Sequence, residues 1–278
     1  MSALAVPTTE KESAPGGTVV YRHRLSTRLW HWTNAVVLVV MLMSGLMIFN
    51  AHPRLYWGGY GANPDHPWLQ IGANDDGGYL RVGGLVLGTT GVLGEWSDEG
   101  GVHHRAFPGW ATLPSTYDLA TSRRWHLTFA WVFALGILGY LVWSLVDGHL
   151  RRDIAPTKHE LTPDHVWGDV KAHATLRFPK GKAARRYNVL QKLAYAGTLL
   201  GLIPLMVLTG LTMSPGMDAA WPWLLDLFGG RQSARSIHFI VAFLLVLFIV
   251  VHLLMVVLAG PINEVRSMIT GRYRLPKE

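Results

Sequence analysis

Two histidines inside one apolar run raise the first chemical question. His238 and His252 lie in the stretch Arg235 to Gly260, RSIHFIVAFLLVLFIVVHLLMVVLAG, which has no Asp, Glu, Lys or Arg after Arg235. A run of more than about 20 apolar residues is long enough to cross a hydrocarbon core of about 30 Å as a helix. Ionisable side chains in that setting usually face the bundle interior or a cavity and mark function. The two are 14 residues apart, about 3.9 turns and about 21 Å of rise, which puts both imidazoles on nearly one face near opposite ends of the span. Single histidines also stand at the start of two other apolar runs, His31 in RLWHW and His126 in RRWH. Imidazole ligates metals through either ring nitrogen. The chain has no cysteine, so thiolate zinc sites, iron–sulfur clusters, disulfides and covalent haem attachment are excluded, and a metal centre must use His, carboxylate or Met.

The elements that would position these histidines follow from composition. Of 278 residues, half are hydrophobic and 15% charged, the balance of a membrane protein. Four spans are expected, at about 29–49, 124–146, 188–213 and 235–260. The fold expectation is an all-α, four-transmembrane-helix bundle, a single membrane domain over 1–278. The segment 51–123 is polar, Gly-rich and Trp-rich; its Trp57, Trp68, Trp96 and Trp110 argue for a folded cap. Residues 80–94, though apolar, are too short and too Gly-rich to cross a bilayer. The net charge of +7 sits in the two termini and the 147–187 loop, where the positive-inside rule accounts for it without nucleic acid. That rule puts both termini and the 147–187 loop in the cytoplasm and makes 51–123 an extracytoplasmic loop. Residues 1–20 are polar and lack the apolar core of a signal peptide, so the first span is expected to act as an uncleaved anchor.

With that topology the histidines form two level pairs, His31 with His252 on the cytoplasmic side and His126 with His238 on the outer side. Helical bundles build cofactor sites from facing side chains, and paired axial imidazoles without cysteine are what b-type haem requires, so two b haems are expected. Haem carries two acidic propionates, and Arg24, Arg28, Arg123 and Arg124 flank the ligands as candidate partners. Ser44 and Gly45 are small residues that would admit a helix or a flat ligand. His103 and His104 are expected to be loop histidines. His23, His52, His66, His149, His159, His165 and His173 are expected on solvated surface.

The motifs RLWHW (28–32), RRWH (123–126), YNVLQK (187–192), LTG (208–210) and the paired histidines of the fourth span resemble the bacterial cytochrome b superfamily. That group includes cytochrome b561 and the membrane subunits of nickel-iron hydrogenases, formate dehydrogenases and thiosulfate reductases. The resemblance covers the four spans and not the 51–123 loop. It implies a bacterial inner-membrane di-haem conduit between the quinone pool and a periplasmic oxidoreductase subunit, such as a molybdopterin enzyme, docked on the 51–123 loop. It also implies a quinone site at Asn188 and Gln191, with Leu190 standing where the family motif has glycine; a helix N-cap is the other role open to Asn188. Two alternatives stand beside the conduit: a lone cytochrome b561-type oxidoreductase passing electrons between a small outer substrate such as superoxide and quinone, and a haem-free transporter or assembly protein.

Overall fold

A computed structural model describes residues 19–148, 150–175 and 188–274. His149, Tyr187 and the basic residues Arg177, Lys180, Lys182, Arg185, Arg186 and Lys277 lie outside the described residues, as does the side chain of His173. In chain order come β1 (Val19–Tyr21), α1 (Leu25–Asn50), β2 (Arg54–Leu55), β3 (Leu69–Asn74), β4 (Gly77–Val82), β5 (Leu85–Gly88), β6 (Trp96–Asp98), β7 (Gly101–His103) and α2 (Leu119–Val146). Then follow α3 (Pro163–Ala174), α4 (Val189–Gly197), α5 (Ile203–Thr212), α6 (Pro215–Ala220), α7 (Pro222–Leu227), α8 (Arg231–Ala259), α9 (Pro261–Thr270) and β8 (Arg272–Arg274). Among the described residues four helical segments are long and apolar enough to cross a membrane: α1, α2, Val189–Thr212 and α8. The third is continuous but not uniform. Between α4 and α5 the helix widens to a π-type turn at Thr198–Leu202, just before Pro204. A proline there has no N–H to give the preceding turn and its ring crowds the carbonyl four residues back, which a wide turn relieves.

The chain folds as two compact units. The first comprises the residues up to Thr33, Leu138–Gly201 and those from Leu245 onward. Here β1 pairs antiparallel with β8, Val20 opposite Tyr273, so the two ends of the described chain are tied together. The start of α4 is held from three directions. Asn188 and Gln191 form a reciprocal capping box, the Val189 amide donates to Asp169 of α3 at 3.0 Å, and the Lys192 ammonium donates to both oxygens of Glu160 at 2.8 and 3.0 Å.

The second unit comprises Asn34–Ile137 and Leu202–Leu244. Its segment between α1 and α2 is β structure: an antiparallel sheet in the order β2-β3-β4-β5 and a separate β6–β7 hairpin. Hydrophobic alternation here is weak because β5 is exposed along its whole length, which hides the strands from a reading by periodicity. The core of this unit gathers Phe49, Leu55, Leu69, Ile71, Ala106 and Phe107. Two polar devices fasten this segment to the helices. The Asn50 side chain exchanges two hydrogen bonds with the backbone of Phe107, at 2.8 and 3.2 Å. The first turns of α8 take up the segment after α1: Ser236 donates to the Tyr56 carbonyl at 2.6 Å and accepts from Trp68 Nε1 at 2.9 Å, and the half-buried Arg235 donates to the carbonyls of His52 and Arg54.

The Glu160–Lys192 pair gives a stability prediction. The hydrogen bond from Lys192, helped by the Thr157 amide, holds the Glu160 carboxyl down at about 2. A depressed carboxyl adds stability above its ordinary value and loses it as the pH falls through the depressed one. Its contribution is therefore complete at neutral pH and disappears between about pH 4.5 and pH 2. Glu160→Gln leaves a nearly buried ammonium without its counter-charge and should destabilise the detergent-solubilised protein by about 1–3 kcal/mol, read as a lower unfolding midpoint at pH 7 whose difference from the unsubstituted protein shrinks toward pH 2.

Candidate functional site

The four span histidines stand as two pairs, one in each unit. In the second unit His126 of α2 and His238 of α8 have ring centroids 6.4 Å apart, at 65° to one another. Each ring leans on a helix other than its own. His126 Nδ1 lies 3.0 Å from the Met41 carbonyl and 3.2 Å from Ser44 Oγ, while the Ser44 hydroxyl donates to the Val40 carbonyl at 2.6 Å. The only hydroxyl hydrogen is thus engaged, so toward the ring Ser44 is an acceptor, as is the Met41 carbonyl. His126 must carry its proton on Nδ1 and its lone pair on Nε2. His238 is met in a similar way by α5. Its Nδ1 is 3.1 Å from Thr209 Oγ1, and the Thr209 hydroxyl donates to the Leu205 carbonyl at 2.7 Å.

Glycine makes room for both rings. A Cβ on Gly45 would stand 3.3 Å from His126 Cε1, and one on Gly210 would stand 3.4 Å from His238 Cε1. The sequence marked Ser44, Gly45 and the LTG motif for their size or family likeness, but the role of the hydroxyls was missed. A signal for it exists: Met41-x-x-Ser44-Gly45-Leu46 and Met206-x-x-Thr209-Gly210-Leu211 are the same pattern written twice.

In the first unit His31 of α1 and His252 of α8 have ring centroids 6.3 Å apart, at 57°. Aromatic rings hold this pair: Trp32 meets His31 edge-on at 5.2 Å, and Phe248 stacks on His252 at 6.2 Å. His31 Nδ1 is buried without a hydrogen-bond partner.

These separations carry a chemical meaning. An N–H···N hydrogen bond would draw two imidazole centroids to about 5.2 Å, so neither pair is bonded to itself. A metal–imidazole bond is about 2.0–2.1 Å, and a ring centre lies about 1.2 Å behind its nitrogen. Two imidazoles on opposite faces of one metal ion therefore stand about 6.4 Å apart. Among the described residues no group of three or more His, Cys, Asp or Glu is placed to hold a metal ion. Each pair offers two ligands in a half-buried, largely apolar setting, which fits a metal whose remaining positions are filled by a flat macrocycle.

The remaining predicted residues are placed less uniformly. Arg24 pairs with Asp147 at 3.8 Å, and Arg28 donates to the Ile269 carbonyl while its Nε is buried and unpartnered. Arg123 and Arg124 are exposed on the first turns of α2, with Arg124 donating to Thr121 at 3.1 Å. Asn188 and Gln191 cap α4 through each other. His103 is tied to Asp98 at 2.8 Å and His104 approaches Glu95 at 3.4 Å. Two histidines expected on solvated surface are not simply there. Burial, with Arg22 beside it, lowers the His23 pKa to about 4. His52 stacks on Tyr56 with its Nε2 buried and unpartnered. Neither carries a sequence signal, because both are covered by chain that is remote in sequence.

A family model, that of prokaryotic cytochrome b561, matches residues 22–271. The chain belongs to that family. It is 26% identical over 234 residues, 83% of this chain and 87% of the relative, to an Azospira oryzae protein named as the protein-methionine-sulfoxide reductase subunit YedZ1. It is 22% identical over 275 residues, 94% of this chain and 90% of the relative, to an Azotobacter vinelandii protein named as a Ni/Fe-hydrogenase B-type cytochrome subunit. It is 26% identical over 268 residues, 95% and 78%, to the Escherichia coli cytochrome YdhU. No solved structure matches the chain significantly. Membership of the family makes this a membrane cytochrome b of electron transport and implies haem b.

The hydroxyl and glycine steps can be tested apart. Thr209→Val keeps the shape of the side chain and removes one acceptor from His238 Nδ1, which lowers the basicity of the ring. Haem should be retained, with the midpoint potential of one b centre raised by roughly 20–40 mV, the one-electron equivalent of about 0.5–1 kcal/mol. Gly45→Val places branched carbon against the His126 ring and should reduce b-type absorbance per protein, measured by pyridine haemochrome.

Proposed function

We propose that this cytochrome b is the membrane conduit of a two-part oxidoreductase, binding two b haems and passing electrons between the quinone pool and a periplasmic, molybdopterin-type subunit. The observation that carries this reading is the separation of the two imidazole pairs, 6.3 and 6.4 Å, which would leave room for one metal ion between the rings of each pair, with no third protein ligand among the described residues. His126 and His238 would hold the outer haem and His31 and His252 the cytoplasmic one. Bound haem supplies a one-electron couple whose potential depends on axial ligation, hydrogen bonding and burial.

The chain's own residues do the rest. Ser44, the Met41 carbonyl and Thr209 hold the Nδ1 protons, which would leave the Nε2 lone pairs of His126 and His238 to hold the metal. Gly45 and Gly210 keep the ring positions open. Arg24, Arg28, Arg123 and Arg124 are the proposed propionate partners, Arg28 favoured by its buried, unpartnered Nε. The sheet of the 51–123 segment is bonded to the first turns of α8, which carry His238, and this supports the segment as the docking surface. Quinone is proposed to react near the start of α4, where the capping box holds Asn188 and Gln191 in fixed positions. The whole chain is read as one inner-membrane domain with both termini and the 147–187 loop in the cytoplasm and 51–123 outside.

Membrane-inserted protein should show reduced-minus-oxidised b-type bands and two haems per chain. His238→Ala should remove one haem and His31→Ala the other. A spectrum without haem bands, or loss of the same haem in both variants, ends this assignment. Asn188→Ala should cost the α4 cap about 1 kcal/mol and slow quinone reaction while both haems remain; unchanged quinone kinetics retire that site.

A further inference from the structure

The helix α9 is amphipathic in the wrong sense for a helix that packs on protein. At 100° per residue, Asn263, Glu264 and Ser267 fall on one side and Ile262, Val265 and Ile269 on the other. It is the polar side that faces protein. Ser267 is 0% exposed, Glu264 pairs with Arg22 at 3.7 Å, and Asn263 exchanges hydrogen bonds with the Arg274 backbone at 2.8 and 3.0 Å. The apolar side is open: Ile262 is 84% exposed, Val265 41% and Ile269 60%. Three branched apolar side chains turned away from the body of a protein need another apolar phase.

The chain path says which phase. α9 starts at Pro261, with one residue between it and Ala259, where the membrane span α8 ends. Gly260 makes the break with a φ of +109°, a conformation glycine adopts without penalty. The last turns of α8 carry the exposed apolar side chains Leu253, Leu254 and Val257, which in a spanning helix face lipid, so α9 begins where the chain leaves the hydrocarbon. The far end of α9 is fixed as well. Trp32 Nε1 donates to the Met268 carbonyl at 3.1 Å and Arg28 donates to that of Ile269, so the last turn is bonded to the opening turns of the span α1. Tryptophan at that position marks the membrane–water boundary. Arg24, just before α1, and Arg272 and Arg274, just after α9, are exposed, and basic side chains at a span end suit phosphate headgroups.

We propose that α9 is an interfacial helix, lying with Ile262, Val265 and Ile269 in the headgroup–acyl boundary of the bilayer and its polar face clamped to the protein. This inference rests on the membrane spans alone and is independent of the haem and quinone assignments. The absence of cysteine makes the test direct. Full-length Ile262→Cys and Ile269→Cys variants, labelled with NBD and placed in phosphatidylcholine nanodiscs, are quenched either by lipid bearing a doxyl group near the headgroup end of its acyl chain or by aqueous iodide. Val250→Cys on the exposed face of α8 and Lys158→Cys in the 147–187 loop are the reference positions. Labels at 262 and 269 should emit to the blue of the label at 158 and lose more intensity to doxyl lipid than to iodide, the reverse of position 158. Iodide quenching equal to that at 158 overturns the proposal by putting the face in water. Protection from both quenchers overturns it equally, because the face is then covered by protein.

Discussion

A neutral imidazole has one proton and one lone pair, and in a low-dielectric span both must be accounted for. That constraint organises the second unit. Serine and threonine in membrane helices ordinarily return their hydroxyl hydrogen to their own helix, and Ser44 and Thr209 do so through Val40 and Leu205. The geometry leaves each hydroxyl oxygen facing outward as an acceptor, and a histidine from another helix is present at both places. The glycine that follows each hydroxyl residue lets the ring come close enough for the bond. One short pattern on two helices therefore fixes two tautomers and leaves the Nε2 lone pair of each ring available as a ligand.

The segment between α1 and α2 is built on the same turn of α8. Arg235 is held by backbone carbonyls of the chain that leaves α1, and Ser236 bridges Tyr56 and Trp68, so the sheet is attached where His238 begins its part in the site. A substitution that loosens the sheet is therefore expected to be felt at His238 without touching it. The first unit uses different means. Its histidines are held by aromatic rings rather than hydroxyls, and its helix starts are secured by charge, with Glu160 on Lys192 and Arg22 on Glu264. The two proposed centres thus differ in what surrounds the ring nitrogen away from the metal, a standard lever on redox potential.

Much was legible in the chain itself. Apolar runs of this length can be little other than helices in lipid, since no other open structure satisfies its backbone there. Helical rise converts residue number to depth, which is why the spacing of His238 and His252 already carried a pairing hypothesis. The absence of cysteine narrowed the metal chemistry before any fold was known, and RLWHW, RRWH and LTG pointed to the family to which the chain belongs. What the sequence left open was whatever depends on chain remote in number: the strands in 51–123, whose exposed β5 breaks the alternation, and the partial burial of His23 and His52; the N-cap role of Asn188, a contact three residues long, was open to a local reading.

Tertiary structure alone decided which residue meets each Nδ1. Ser44 is 82 residues from His126 and Thr209 is 29 from His238, and no local rule couples positions so far apart. It also decided which face of α9 is free, because the sequence gives amphipathicity without direction and only the contacts of Glu264, Asn263 and Ser267 show that the polar side is inward. Local spacing determined what each helix carries, and packing determined what each side chain meets, since hydrogen bonds depend on distances of a few ångströms that the number of intervening residues does not set.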